Sequence, residues 1–203
     1  FENSFHKDIE KHLKDIPEED IVEPKASIAA PAMQALGFSF EEPELKEMYL
    51  SLISGAMDGR SPNKAHPSFV EIIKQLTSEE ALYLKLICSS NSILPIVQLR
   101  LKTKDQKGHF VLRNHVLSIF GKKTGNLNDI PIMSSMIENW TRLGIVSVSY
   151  TEHLTLDSAY SWVEEAPAYK IEQAKIIDGQ SLDFAKGILR VSDFGKHFMQ
   201  AVT

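Results

Sequence analysis

The stretch "AHPSFVEIIKQLTSEEA", residues 65–81, determines where the helices in the middle of the chain begin. Ser68 and Thr77 are each followed three positions later by a glutamate, Glu71 and Glu80 respectively. This is capping-box spacing, in which the hydroxyl accepts from the backbone N–H three residues on and the glutamate accepts from the N–H of the cap. The stretch therefore predicts two successive helix starts.

The segment ahead of this stretch has the apolar spacing of helices. In "EPELKEMYLSLISGAMD", residues 42–58, apolar side chains recur every three or four positions, and Pro43 suits the first helical turn. The residues expected to face inward are Leu45, Met48, Tyr49, Leu52, Ile53 and Ala56. We therefore predict a helical N-terminal part over residues 1–76.

The sequence after residue 76 mixes helices with strands. In "PIVQLRLK", residues 95–102, apolar and polar residues alternate as in a strand with one buried face. We predict a helix over 130–143, a strand directly after it, and a hairpin around "DGQS", residues 178–181. This order predicts a winged-helix-like C-terminal part over residues 77–203. The fold class is α+β, mainly α, with the N-terminal part packed on a C-terminal part that contains a β-hairpin.

Length and composition are those of an ordinary soluble protein. The 203 residues are 43% hydrophobic and 24% charged, with a net charge of −5. A chain of this length and composition can bury a hydrophobic core without disulfides or structural metals. The one cysteine, Cys88, excludes an internal disulfide and lies in an apolar run, so we expect a buried thiol and a cytoplasmic protein. No apolar run is long enough to span a bilayer.

Polar residues in the loop before the first predicted cap are the candidates for chemistry. Asp58, Arg60 and His66 lie near two glycines and form a predicted polar pocket, where an aspartate and a histidine can act as general acid and base. The same residue types are also ordinary turn and capping residues. An effector enzyme using this pocket is therefore one alternative, although the sequence predicts no catalytic residue, no cofactor and no metal site.

A basic segment is the candidate surface for an anionic partner. Residues 100–123 contain seven basic residues and one acid, which favours binding to phosphates. A winged-helix nucleic-acid-binding protein is therefore the other alternative, and a solvated hairpin face is the simplest interpretation of the same charges. The basic residues are Arg100, Lys102, Lys104, Lys107, Arg113, Lys122 and Lys123.

Residues 23–81 resemble the abortive infection alpha (Abi-alpha) family of bacteria. The matching motifs are "ELKEMYLSLISGAMD", residues 44–58, and "HPSFVEIIKQLTSEEA", residues 66–81. The ending "KGILRVSDFGKHFMQAV" is similar to that of the family, with Ser192 where threonine is usual. The resemblance covers nearly the whole chain. Family members usually carry an upstream apolar segment rich in Gly and Ala, so we expect this sequence to be part of a longer protein.

The resemblance implies a role in phage resistance, in which an infected cell is arrested or sacrificed before phage spreads. It brings no established catalytic residues. We therefore expect a non-enzymatic, cytoplasmic defence component that acts through protein or membrane partners. A membrane contact is expected only through the upstream segment, and nucleic acid or a second copy of the chain are the other partners to be considered.

Overall fold

The computed structural model describes residues 2–89, 93–103, 108–117, 119–120, 127–128 and 132–203. Within these ranges the protein is α+β, as predicted, with eight α-helices and a four-stranded antiparallel sheet. The helices are α1 (Glu2–Leu13), α2 (Ala26–Phe38), α3 (Pro43–Met57), α4 (Pro67–Ile73), α5 (Ser78–Ser89), α6 (Met133–Arg142), α7 (Pro167–Gln173) and α8 (Asp193–Val202). The strands are β1 (Ile93–Thr103), β2 (Phe110–Leu117), β3 (Ile119–Phe120), β4 (Leu127–Asn128), β5 (Val146–Ser149) and β6 (Gln180–Val191). None of the described helices is both long and apolar enough to cross a membrane.

The described residues divide into two compact units. The helical unit comprises the described part of residues 1–91 together with Asp193–Thr203, and the sheet unit comprises the described part of residues 92–192. This division differs from the predicted boundary after residue 76, because α5 and α8 both belong to the helical unit. The physical reason is packing, since α8 contacts α3 and α5 although it is distant from them in the sequence.

Helix α3 is the centre of the helical unit, because α1, α2, α4, α5 and α8 all pack against it. Leu45, Met48, Leu52 and Ile53 are buried, as the helical spacing predicted. Leu50, which is not among the residues that the spacing predicted to face inward, is also completely buried. A helix with neighbours on several faces buries side chains around most of its axis, so an amphipathic pattern underestimates its core.

The two predicted helix starts have different outcomes. At the second, the Glu80 N–H donates to Thr77 Oγ1 at 3.1 Å and the Thr77 N–H donates to Glu80 Oε2 at 2.9 Å, which confirms the capping box. At the first, the prediction of Ser68 as the cap is wrong. Helix α4 begins at Pro67, and His66 caps it by accepting the Ser68 N–H at Nδ1 over 3.2 Å. The fixed φ of proline suits the first helical position and holds the preceding residue extended.

The four-stranded sheet has the order β2-β1-β6-β5, and each neighbouring pair is antiparallel. β1 and β2 are the β-hairpin of the fold. The predicted alternation on β1 is confirmed at Val97 and Leu99, which are fully buried in a cluster with Tyr160 and Val163. Helix α6 lies within the predicted span 130–143 and packs against β2 and β5.

The predicted hairpin around residues 178–181 is wrong. Helix α7 occupies part of the segment expected to be its first strand, and the long strand β6 pairs with β1 along the whole of β1. Pro167 stands in the first turn of α7, and the buried residues Ala168 and Glu172 are one helical turn apart, which is helix spacing. Because β6 separates β1 from β5, the topology does not confirm a winged helix.

Candidate functional site

Asp58 and Arg60, two members of the predicted polar pocket, bind each other in a bidentate ion pair. Arg60 Nε donates to Asp58 Oδ1 at 2.8 Å and Nη2 donates to Oδ2 at 2.9 Å, while the Arg60 backbone N–H donates to Oδ1 at 3.0 Å. The hydrogen bonds from Arg60 hold the pKa of Asp58 below its ordinary value. A carboxylate so engaged is an acceptor of fixed position and a poor proton acceptor for catalysis.

The Asp58–Arg60 pair lies where the segment after α1 meets the end of α3. The Gly59 N–H donates to Asp20 O at 2.9 Å, and Ile21 forms an antiparallel bridge with Asp58. A Cβ at Gly59 would lie 2.9 Å from Asp20 O, so the close approach of the two backbones requires glycine. The Asp58–Arg60 pair therefore lies at a structural contact between the segment after α1 and the end of α3.

His66, the third member of the predicted pocket, has a separate role as the cap of α4. Its Nδ1 accepts the Ser68 N–H and also lies 2.6 Å from Ser68 Oγ. The centroid of its ring lies 5.7 Å from the centroid of the Phe69 ring. No hydrogen bond or ion pair among the described residues joins His66 to Asp58 or Arg60. The structure thus brings two of the three predicted pocket residues together and gives the third a different task.

A groove lies within the helical unit between α2, the start of α3 and the end of α4, and we call it the α2–α4 groove. Its volume is about 410 Å³. Its floor is apolar, and its rim carries Phe38, whose surface is 85% exposed. The floor residues are Ala35, Leu45, Tyr49, Ile73 and Leu76, and the rim residues are Gln34, Phe38, Ser39, Glu42 and Lys74.

The charges around the α2–α4 groove stay on its rim. Lys74 Nζ pairs with Glu71 Oε1 at 2.8 Å, and Glu42 Oε2 accepts the Ser78 hydroxyl at 2.7 Å. Burial, together with the carboxylates of Glu71 and Glu42, raises the pKa of Tyr49 far above its ordinary value. The groove therefore presents a neutral phenol on an apolar floor, which suits the binding of an apolar group rather than proton transfer.

The sequence reasoning missed the α2–α4 groove. Helix α2 continues past Gly37, a residue type typical of helix ends, to Phe38. The available signal was the pair of aromatic residues Phe38 and Phe40 inside the polar stretch "GFSFEEP", residues 37–43. Both side chains are exposed in the structure.

The three basic residues of segment 100–123 that the structure describes have different partners. Lys102 Nζ pairs with Asp183 Oδ2, and Arg113 Nε pairs with Glu172 Oε1 at 3.0 Å. Arg100 Nε instead donates to Gln98 Oε1 at 2.7 Å, a neutral acceptor. The other predicted contacts, Lys104, Lys107, Lys122 and Lys123, lie outside the described residues, and binding of nucleic acid by the whole segment stays a prediction.

A second feature that the sequence reasoning missed joins β2 to the residue after β5. His115 has a φ of 54°, in the left-handed region, and its backbone N–H donates to the Tyr150 hydroxyl oxygen at 3.0 Å. The same oxygen lies 2.9 Å from His115 Nδ1, and the two rings are stacked. Burial raises the pKa of Tyr150 to about 12 and lowers the pKa of His115. The signal was Asn114-His115 within a strand, since both residue types tolerate positive φ.

The remaining candidate groups are the Cys88 thiol and the side-chain types that ligate metal ions. Cys88 is half-buried, and burial raises its pKa to about 11, so it is a neutral thiol near pH 7. Within the part of the chain that the structure describes, no three His, Cys, Asp or Glu side chains are grouped so that they could hold a metal ion.

Comparison with known proteins gives one extensive match. The model of the family described as "Abortive infection alpha" matches residues 1–202. No curated protein matches the chain. One similar solved structure is that of an uncharacterized protein from the hydrocarbon-degrading marine bacterium Alcanivorax borkumensis SK2, with 15% identity over 66% of this chain and 90% of that chain. Its TM-score is 0.39, too low to support an inference about this chain.

Proposed function

Because the chain belongs to the abortive infection alpha family, we propose that it is a cytoplasmic component of bacterial defence against phage that acts by binding a protein partner, without catalysis. The observation that carries the proposal is the match of the family over residues 1–202. Asp58 and Arg60 lie where two segments of the helical unit meet, and His66 caps α4. These structural roles support the non-enzymatic part of the proposal. Asp58 and Arg60 bind each other through both carboxylate oxygens, and His66 Nδ1 accepts the Ser68 N–H.

We propose the α2–α4 groove as the surface that meets the partner. Phe38 is a large apolar side chain at the rim of a groove with an apolar floor, and exposed apolar surface beside a concave apolar lining is typical of binding sites. Covering one phenylalanine side chain contributes about 1.5–3 kcal/mol. A groove of this form accepts an amphipathic helix that inserts one bulky apolar residue.

The partner segment is expected to place a polar group beside the Tyr49 hydroxyl and apolar groups against the floor. Glu42 and Lys74 on the rim each have a hydrogen-bond partner already, so the rim supplies orientation more than affinity. Binding energy is then concentrated in Phe38 and the floor, as in interfaces where a few central residues dominate.

Phage plating with Phe38→Ser tests the proposal. The complete gene is expressed in a susceptible bacterial host and challenged with a panel of phages. We expect fewer plaques with the wild type than with an empty vector, and we expect Phe38→Ser to restore plating. Leu156→Ser is the matched control, because Leu156 is 69% exposed, belongs to the sheet unit and does not line the groove.

The outcomes separate the proposal from its alternatives. Equal plating with and without the wild-type gene contradicts a defence role. Protection that survives Phe38→Ser contradicts the groove as the partner surface. Protection that depends only on a segment upstream of residue 1 favours the membrane route over a protein partner.

A further inference from the structure

Arg100 is held in place by a chain of polar side chains across β1 and β2. Its Nε donates to Gln98 Oε1 at 2.7 Å, and Gln98 Nε2 donates to Asn114 Oδ1 at 2.7 Å. Gln98 and Arg100 are two residues apart on one strand and therefore lie on the same face of the sheet. With Nε engaged, the guanidinium plane is oriented and its two terminal nitrogens remain available as a fork.

The charge of Arg100 is not neutralised by a carboxylate of its own. Asp183 is the register partner of Arg100 on β6, but its carboxylate pairs with Lys102. Arg100 forms no ion pair with any residue that the structure describes. Two cations therefore share one anion on this part of the sheet, and a half-buried guanidinium without an ion-pair partner gains stabilisation from an anionic ligand.

His115 adds a neutral donor near the same place. Since the Tyr150 hydroxyl keeps its proton and already accepts the His115 backbone N–H, we assign its O–H as the donor to His115 Nδ1. The proton of the neutral imidazole is then on Nε2, which has no hydrogen-bond partner among the described residues. His115 directly follows Asn114, the residue whose Oδ1 accepts from Gln98 in the chain of side chains that holds Arg100.

We propose that the sheet unit binds a phosphate group on the face formed by Gln98, Arg100, Lys102, His115 and Tyr150, which we call the Arg100 face. The planar fork of an arginine matches two oxygens of a phosphate. A third oxygen is left for the Nε2–H of His115 or for Lys102, whereas a carboxylate has only two oxygens to offer. Arg100 and Lys102 outnumber Asp183, the carboxylate that pairs on this face, which favours an anion, while the carboxylate of Glu138 acts on His115.

The phosphate has two possible sources, the backbone of a single-stranded nucleic acid or a free phosphate. The positive φ of His115 supports a binding role, because strained backbone is retained where it positions a side chain for function. The proposal concerns the sheet unit and does not depend on the partner proposed for the α2–α4 groove.

Binding measurements on the whole chain test the proposal. A fluorescein-labelled single-stranded oligonucleotide is titrated by anisotropy at low salt, and inorganic phosphate is titrated by calorimetry. Arg100→Gln removes the charge, Arg100→Lys keeps the charge but removes the fork, and Arg190→Gln is the matched control on β6, whose arginine pairs with Glu152 at 3.4 Å. We expect Arg100→Gln and Arg100→Lys to weaken binding by about tenfold or more and Arg190→Gln to change it by less than about twofold.

The results identify the source or overturn the site. Oligonucleotide binding that depends on Arg100 and yields to phosphate only at high concentration assigns the backbone of nucleic acid. Binding of inorganic phosphate that depends on Arg100, without oligonucleotide binding, assigns a free phosphate. The site is overturned if neither probe binds, if Arg100→Gln binds as tightly as the wild type does, or if acetate competes as well as phosphate. An unchanged melting temperature shows that the Arg100→Gln protein is folded. If Arg100→Lys binds as tightly as the wild type does, recognition of two phosphate oxygens by the guanidinium is contradicted.

Discussion

Thr77 and Glu80 hydrogen-bond each other's backbone at the start of α5, over 3.1 and 2.9 Å. The first turn of a helix has N–H groups without partners inside the helix, and this pair satisfies two of them. Glu80 is buried, with 5% of its surface exposed. Loss of the pair therefore leaves backbone groups that water does not easily reach.

Replacement of the Thr77 cap is expected to destabilise the helical unit. Thr77→Ala removes the acceptor for the Glu80 N–H and is expected to cost about 1 kcal/mol in the free energy of unfolding. Ser68→Ala is the comparison, because the Ser68 hydroxyl lies 2.6 Å from His66 Nδ1 but it is His66 that accepts the backbone N–H at the start of α4. Urea unfolding followed by circular dichroism measures both. A larger loss for Ser68→Ala than for Thr77→Ala would contradict the assignment of the caps.

His66 variants distinguish a capping role from a chemical one. His66→Asn keeps a side-chain acceptor at the cap, so we expect stability near that of the wild type, whereas His66→Ala is expected to lose about 1 kcal/mol. We also expect His66→Asn to protect against phage as well as the wild type does. A folded His66→Asn protein without protection would support the effector-enzyme alternative.

A methyl group at Gly187 is expected to disrupt the contact between β5 and β6. A Cβ there would lie 2.5 Å from Ser149 O and 2.6 Å from Tyr150 Cδ1. Because backbone cannot move away as a flexible side chain does, Gly187→Ala is expected to cost about 1–3 kcal/mol. Gly108→Ala is the control, since no atom lies within 4 Å of the added carbon. Chemical unfolding measures both, and equal midpoints would contradict the close approach.

The ion pairs of Glu172 are expected to weaken in acid. Burial raises the pKa of Glu172, but the hydrogen bonds and charges of Lys175 and Arg113 outweigh it and hold the pKa below the ordinary value of 4.5. A carboxyl group with a lowered pKa in the folded state contributes stability that is present above its unfolded pKa and is lost as pH falls through the folded pKa. The difference in unfolding free energy between wild type and Glu172→Gln should therefore shrink below pH 4.5. A difference that stays constant through this window would show that the carboxylate charge is not responsible.

Regular apolar periods made several elements predictable. The helical spacing of α3 and the alternation on β1 identified buried residues such as Met48 and Leu99. The segment of α7 was misassigned, because its few apolar residues fit a strand as well as a helix and only Pro167 favours the helix start. The sequence named Lys102 and Arg113 among the candidate site residues, but their partners Asp183 and Glu172 are contributed by the fold.

The α2–α4 groove and the contact between His115 and Tyr150 were not predictable from sequence. Each joins residues that are distant along the chain, such as Phe38 with Ile73 and His115 with Tyr150. Spacing rules describe neighbours within one strand or a few helical turns, so they carry no information about such contacts.

The sequence by itself determined the regular helices and strands, the Thr77 cap and the family, because these depend on residues close together in the chain. Only the tertiary structure decided which of the basic residues keeps an unneutralised charge. Lys102 and Arg113 meet carboxylates that β6 and α7 bring to them, whereas Arg100 meets the neutral Gln98. The physical reason is that a charge is neutralised by whichever group the strand register and helix packing bring within contact distance.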